Sequence, residues 1–303
     1  MGADGLDEVS AADLDQLRRA VTAARRRVRR PLPWIGHPEP WAVFVSEVML
    51  QQTSTTRVLG PWQRFLEDFP TPAALAAAPL AEVLRAWRGL GYPRRAKALH
   101  DAARMMVERH GGRVPSRVEE LLALPGVGPY TAHAVASFAF AQRVAVLDTN
   151  VGRVLARALA NRPLAPREAR ELAADLLPRR GAASFNQAML DIGAQFCTAR
   201  PRCEDCPLRE TCRWRSEGGD DPAPRSAAVS RPQSRFTGSD RQVRGRILRR
   251  LDDGPRQRRR LLDDLADVDA ERLDRLIEDL SREGLVSRGP RGLQLGGAAP
   301  TSR

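Results

Sequence analysis

Two carboxylates, a glycine pair and four thiols are the residues whose types and spacing could do chemistry. Glu47 lies in PWAVFVSEVMLQQT, from Pro40 to Thr53, a run almost wholly apolar apart from Ser46 and Glu47 that ends in Gln51 and Gln52. Helical spacing sets Glu47 beside Val43, Phe44 and Leu50. A carboxyl group on such a face loses its hydration, which favours the protonated form that a general acid needs near neutral pH. The competing reading is a core glutamate satisfied by a backbone or arginine partner. Asp148 follows the apolar run Val144 to Leu147 and precedes a helix starting near Asn150. It is either an N-cap, accepting from the first amides of that helix, or a carboxylate placed for reaction.

Twenty residues before Asp148, Gly126 and Gly128 flank Val127 between two helical stretches. Small residues at that spacing suit a tight turn whose backbone N–H groups face an anion, and equally suit an ordinary helix-to-helix turn. Cys197, Cys203, Cys206 and Cys212 are the only cysteines, spaced C-x5-C-x2-C-x5-C. In a chain with no apolar signal core, four clustered thiols argue for a metal rather than disulfides. Zinc and an iron–sulfur cluster both accept four thiolates, so spacing leaves them even.

The elements that position these groups are helices. The chain has 303 residues, 42% of them hydrophobic, and a formal net charge of +12. That length allows two or three domains, and that charge points to a polyanionic partner, nucleic acid first. Lys97 is the only lysine, which limits where a Schiff base could form. Hydrophobic runs are broken by charge well before bilayer length, so a cytoplasmic, nucleoid-associated protein with no membrane partner is expected.

From the amino terminus, a leader to about Ser10 precedes a helix from Ala11. Its end, Arg25 to Arg30, carries five arginines and reads as a solvated or phosphate-facing surface. Further helices are predicted over Val58 to Asp68, Thr71 to Ala78, Leu80 to Arg88 and Arg94 to His110. Within GLGYPRRA, Gly89 to Ala96, Tyr92 could stack on a base or wedge into a duplex beside the flanking arginines; a turn tyrosine packed on the surface is the alternative. After Asp148, helices are expected to about Ala160, from Ala165 to Leu177, and through SFNQAMLDIGAQFC to Cys197. A Gly-, Pro- and Ser-rich linker follows, then three helices and a hairpin around Gly289-Pro290 that look like a winged helix.

SEVMLQQT, GLGYPRRA, LPGVGPYTA, VLDTNVGRVLAR, FNQAMLDIGA and the four-cysteine loop, in that order from Ser46 to Cys212, resemble the helix-hairpin-helix DNA glycosylases, most closely the MutY-like adenine DNA glycosylases. The likeness covers roughly Leu32 to Arg215. It implies an all-α, two-lobed fold with an iron–sulfur loop, to which the carboxyl-terminal helices and hairpin add the small winged-helix-like domain. The boundaries are 1–30 for leader and basic helix, 31–215 for the glycosylase domain with loop 197–212, 216–236 for the linker, 237–297 for the last domain and 298–303 for a tail.

The resemblance further implies a [4Fe–4S] cluster on the four cysteines, Glu47 as catalytic acid and Asp148 as catalytic aspartate. Asn150 would hold the sugar or Asp148. Gln51 and Gln52 would stand near the orphan base, Tyr92 would be the wedge, and Gly126, Val127 and Gly128 would anchor the DNA backbone. Tyr130 stands where the related endonuclease III carries the lysine that cuts the strand, which implies base removal without lyase activity. The implied activity is excision of adenine opposite guanine or 8-oxoguanine in double-stranded DNA, by a monomer.

Four departures bear on this. Ile35 replaces a polar residue near the base pocket, and His133 replaces a glycine. The first cysteine gap is one residue short, and the carboxyl-terminal region looks too helical for the Nudix-like reader of 8-oxoguanine. Two other readings stay open: a thymine glycosylase acting on G:T mismatches, and a non-catalytic iron–sulfur DNA-binding protein.

Overall fold

A computed structural model describes residues 9–226, 228–229 and 235–296. The start of the expected leader, part of the expected linker and the expected tail lie outside the described residues. The chain forms two compact units. Of the described residues, one holds 9–38, 116–118, 128–226 and 228–229; the other holds 39–115, 119–127 and 235–296.

In the first unit the helix α1 (Ala11–Val28) packs on α11 (Ala182–Gln195), which also receives α8 (Pro129–Phe140) and α9 (Thr149–Val154). α1 begins with a capping box, Ser10 and Asp13 each bonding the other's backbone amide, and buries Leu17, Val21, Ala24 and Val28 along one face. α11 approaches α9 closely because position 193 is glycine: a Cβ there would lie 2.5 Å from the carbonyl oxygen of Asn150. The helix expected to run from Asp148 to about Ala160 is not uniform. It is α-helical to Val154 and then widens into a π-helical turn over Leu155–Ala160. α10 (Pro166–Asp175) and α12 (Arg213–Glu217) pack against that turn.

The stretch from Ser216, expected to be a flexible linker, is built into this unit as far as Ser226. Ala223 and Ser226 are buried, and Ser226 Oγ accepts from Leu164 N at 3.1 Å while donating to Pro222 O at 2.9 Å. A Gly- and Pro-rich composition reads as slack, but a few polar side chains with buried partners fix such a segment.

The second unit is built on α2 (Pro40–Leu50), in which every residue from Trp41 to Met49 is buried. A helix apolar all round has no solvent face and becomes a core. Around it lie α3 (Thr55–Asp68), α4 (Pro72–Ala77), α5 (Leu80–Ala86) and α6 (Arg94–His110), with α4 and α5 against α6. The short α7 (Val118–Leu122) leads to Gly126, whose φ of +75° and whose missing Cβ, 2.6 Å from Ala98 Cβ, both require glycine. The carboxyl-terminal part adds α13 (Asp240–Leu251), α14 (Arg258–Asp264), α15 (Ala270–Arg282) and two antiparallel strands, β1 (Val286–Gly289) and β2 (Gly292–Leu295), registered Val286 to Leu295. Three helices followed by a hairpin is the order read from the sequence. No described helix is long and apolar enough to cross a membrane.

Gly193→Ala should lower stability by about 1–3 kcal/mol, the usual cost of overpacking, because backbone rather than a flexible side chain stands in the way. The urea unfolding midpoint measures it; an unchanged midpoint would show that α9 and α11 separate freely.

Candidate active site

In the first unit an extended segment delivers Asp148 to the start of α9. Asn186, 3% exposed on α11, holds that segment. Its Oδ1 accepts from Val146 N at 3.3 Å, and its Nδ2 donates to Val144 O at 2.8 Å and Ser137 Oγ at 2.9 Å. Asp148 Oδ1 then accepts from Val151 N at 2.8 Å and Oδ2 from Asn150 Nδ2 at 2.7 Å. The N-cap reading is therefore correct, and it leaves the carboxyl group fixed rather than consumed. Burial pushes its pKa up, opposed by the Val151 amide, the Asn150 amides and the Arg153 charge.

The chain of bonds continues. Asn150 Oδ1 accepts from Arg153 Nη2 at 2.6 Å, and Arg153 also donates to Gly193 O at 2.9 Å and, through Nε, to Cys197 O at 2.6 Å. Arg30, read as part of a solvated basic surface, turns inward instead, its Nε 2.6 Å from the fully buried Asp191. Tyr130 packs half-buried against the core of this unit, and His133 Nδ1 lies 3.0 Å from Ala145 O.

Cys197, Cys203, Cys206 and Cys212 carry free thiols and line one cavity with Arg157, Phe196 and Trp214 among its walls. Burial pushes the Cys197, Cys206 and Cys212 thiols up, Cys206 to about 11, with neighbouring cysteine charges adding to the effect. Arg157, on the π-helical turn, donates to Cys197 Sγ at 3.4 Å and Thr198 O at 2.6 Å and pairs through both other nitrogens with Asp221. Among the described residues no three side chains of ligating type converge on a single ion position.

The remaining expected site residues belong to the second unit, apart from Gly128, which opens α8. Glu47 is 4% exposed on α2. Gln51 is half-buried and donates to Gly126 O at 3.2 Å, tying the end of α2 to the hairpin, whereas Gln52 is exposed with φ of +57°. In the hairpin Gly126 and Gly128 are exposed and Val127 is buried, and no side chain caps α8. Tyr92 is half-buried with φ of +47°.

Arg95, expected to flank the duplex beside Tyr92, is buried. It donates to the carbonyls of Val48, Met49, Leu90 and Gly91 at 2.8–3.0 Å and to Thr53 Oγ1 at 2.9 Å, closing the end of α2. Burial lowers its pKa to about 10, with the neighbouring Arg57 charge acting in the same sense. Asn186, Arg153 and Arg157 were not singled out by the sequence. The only available signal was a polar side chain within an otherwise apolar helix face.

A helical scaffold with an exposed glycine hairpin, an amide-held aspartate and a four-thiol loop defines a class. It is the HhH-GPD superfamily of base excision DNA repair proteins, whose sequence pattern matches residues 45–179. The adenine DNA glycosylase of Mycobacterium tuberculosis is 46% identical over 274 residues, covering 87% of this chain and 88% of its own length. That of Homo sapiens is 39% identical over 67% of this chain and 40% of its own length. Among solved structures, a thermostable thymine-DNA glycosylase matches with TM-score 0.62 at 27% identity, covering 68% of this chain and 98% of that one. An endonuclease III trapped covalently on DNA matches at TM-score 0.59 and 26% identity, covering 67% and 97%. Within the superfamily, the chain belongs to the adenine DNA glycosylase family.

Because the folded protein raises the Asp148 pKa, the native state holds that proton more tightly than the unfolded chain. The associated stability is complete below the ordinary value of 3.8 and is lost as pH rises through the folded value. Asp148→Asn, which keeps an amide-accepting cap, should therefore be more stable than the parent at pH 7, with the gap closing below about pH 4. Urea titrations across pH test this; a variant less stable at pH 7 contradicts it.

Proposed function

We propose that this chain is a base-excision-repair enzyme that removes adenine mispaired with guanine or 8-oxoguanine from double-stranded DNA, leaving the strand uncut. The observation that carries the reading is the contrast between its two carboxylates. Glu47 is enclosed by an apolar helix, whereas Asp148 is held by amide donors beside an arginine.

Adenine leaves poorly until N7 is protonated, and Glu47 supplies that proton once the base is out of the stack. The C1′–N9 bond then breaks with its electrons on the base. The positive charge left on the sugar is stabilised by the Asp148 carboxylate, and water completes the hydrolysis at C1′. Asn150, bonded to both Asp148 and Arg153, keeps that carboxylate in place. Thymine has no N7 to protonate, so Glu47 favours adenine, although the thymine-DNA glycosylase likeness keeps T:G duplexes in the test. Tyr130 offers no amine, and Lys97, the only lysine, has Nζ 2.6 Å from Asp101, which supports a monofunctional reaction.

The four thiols suit a [4Fe–4S] cluster. All four line one cavity, and four thiolates are the usual ligand set of such a cluster. A bound cluster would cross-link the 197–212 loop and supply one-electron chemistry. The enzyme would work as a monomer in the cytoplasm, associated with the nucleoid, and its charge of +12 suits the DNA backbone.

Duplexes carrying A:8-oxoG, A:G, T:G, U:G and thymine glycol, each treated with and without alkali, test the substrate. Free adenine should appear from the first two, with strand breaks only after alkali. Glu47→Gln and Asp148→Asn should each slow release by about 10²–10⁴-fold. Thymine release would overturn the substrate, and a borohydride-trapped Schiff base would overturn the monofunctional reaction. Iron analysis of the purified protein should give about four irons per chain with broad sulfide-to-iron absorption; stoichiometric zinc would exclude the cluster.

A further inference from the structure

Tyr92 closes the elbow Gly89-Leu90-Gly91-Tyr92, in which Gly89, Gly91 and Tyr92 all have positive φ, +84°, +73° and +47°. Two glycines take that conformation freely, but a tyrosine holds it only where its surroundings enforce it. The elbow's carbonyls are held by Arg95, bonded to Leu90 O and Gly91 O, and by Trp87 Nε1, 3.1 Å from Gly91 O, while the Tyr92 ring is met from the carboxyl-terminal helices. Arg241, on α13, donates from Nη1 to the Tyr92 hydroxyl at 2.7 Å, and its guanidinium lies 5.7 Å from the centre of the Tyr92 ring. Arg95 lies 5.5 Å from the same ring. Arg241 is itself stacked 5.6 Å from Phe236, an aromatic ring 56% exposed.

Arg241 does not swing freely on its helix. Glu283 is gripped by both Arg94 and Arg244, joining the start of α6 to α13 and the end of α15. Asp252, just past α13, pairs with Arg88 at 2.5 Å. Gly284 leaves room for Lys97, whose Cε would lie 2.9 Å from a Cβ there, and Gly296 sits against Ala81 in the same way at 3.1 Å. The carboxyl-terminal helices and hairpin are thus seated on the helices that carry the elbow.

We propose that Arg241 is a positioning residue, holding the Tyr92 ring in the one orientation in which it enters the duplex, with Phe236 extending the stacking surface. This rests on the reading of Tyr92 as a duplex wedge. A side chain that unstacks a base step must meet the step already oriented, since freezing it on contact would weaken binding. A hydroxyl fixed by a guanidinium that also stacks on the ring supplies that orientation.

The test is a double-mutant cycle in the full chain with Arg241→Gln and Tyr92→Ala, and with Tyr92→Phe, which removes only the hydroxyl. Binding is measured on an A:8-oxoG duplex whose adenosine carries a 2′-fluorine to block cleavage. Unstacking is read from 2-aminopurine placed beside the 8-oxoguanine. Arg241→Gln should weaken binding about five- to tenfold and abolish the fluorescence rise, Tyr92→Phe should weaken it about two- to threefold, and Arg241→Gln should change nothing further in the Tyr92→Ala background. Additive losses in the double variant would place Arg241 on the phosphates and overturn the proposal. Normal binding and fluorescence in Arg241→Gln alongside a defective Tyr92→Ala would also overturn it, leaving the wedge intact. If Tyr92→Ala itself changes neither readout, the wedge reading fails first. Matched thermal melting of the variants separates these outcomes from misfolding.

Discussion

In the first unit one carboxylate is fixed by a chain of hydrogen bonds that runs between helices. Asp148 is held in place by a relay of short bonds through Asn150 and Arg153 to the carbonyls of Gly193 and Cys197. Two residues, Arg153 and Asn150, therefore stand between the Cys197 carbonyl and the aspartate. The relay explains why α11 must come close enough to α9 to exclude a methyl group at position 193. It also ties the four-thiol loop, through the Cys197 carbonyl, to Arg153. A cross-link that stiffens Cys197 stiffens the arginine bonded to its carbonyl.

The helices that carry these groups were legible in the sequence because their spacing and punctuation agree. α6 runs from Arg94 to His110 as read, and α2 follows from an apolar run opened by Pro40. The expected clustering of the four cysteines is also found in one cavity. What stayed hidden was the work of the arginines. Arg30, Arg95 and Arg157 look like surface charge in a chain of net charge +12, yet each is spent on buried or half-buried partners. Apart from the Leu90 and Gly91 carbonyls beside Arg95, those partners lie between about forty and 160 residues away, beyond the reach of any local pattern.

The reason arginine can do this is geometric. A planar guanidinium presents five donors, enough to satisfy several carbonyls at once, and is less strongly hydrated than an ammonium group. Arg95 saturates the carbonyl end of α2 and the elbow together, which a lysine with one rotating ammonium would not match. The same property misleads a reading of the linker. Asp221 looks like a solvated acid in a Gly- and Pro-rich stretch, and its role is visible only once Arg157 is found buried opposite it. The composition of a segment reports its average surroundings, whereas here Asp221 and Ser226 each meet a partner far away in sequence.

Lys97 has a consequence of another kind. Its amine is paired with Asp101 and its stem runs beneath Gly284, so the only lysine side chain in the protein reports on the seating of the carboxyl-terminal helices. A reagent that acylates amines has one internal target, and its accessibility is a direct gauge of whether that seating is intact. Among side-chain amines that signal is unique, and mapping the acylated residue tells it apart from the α-amino group.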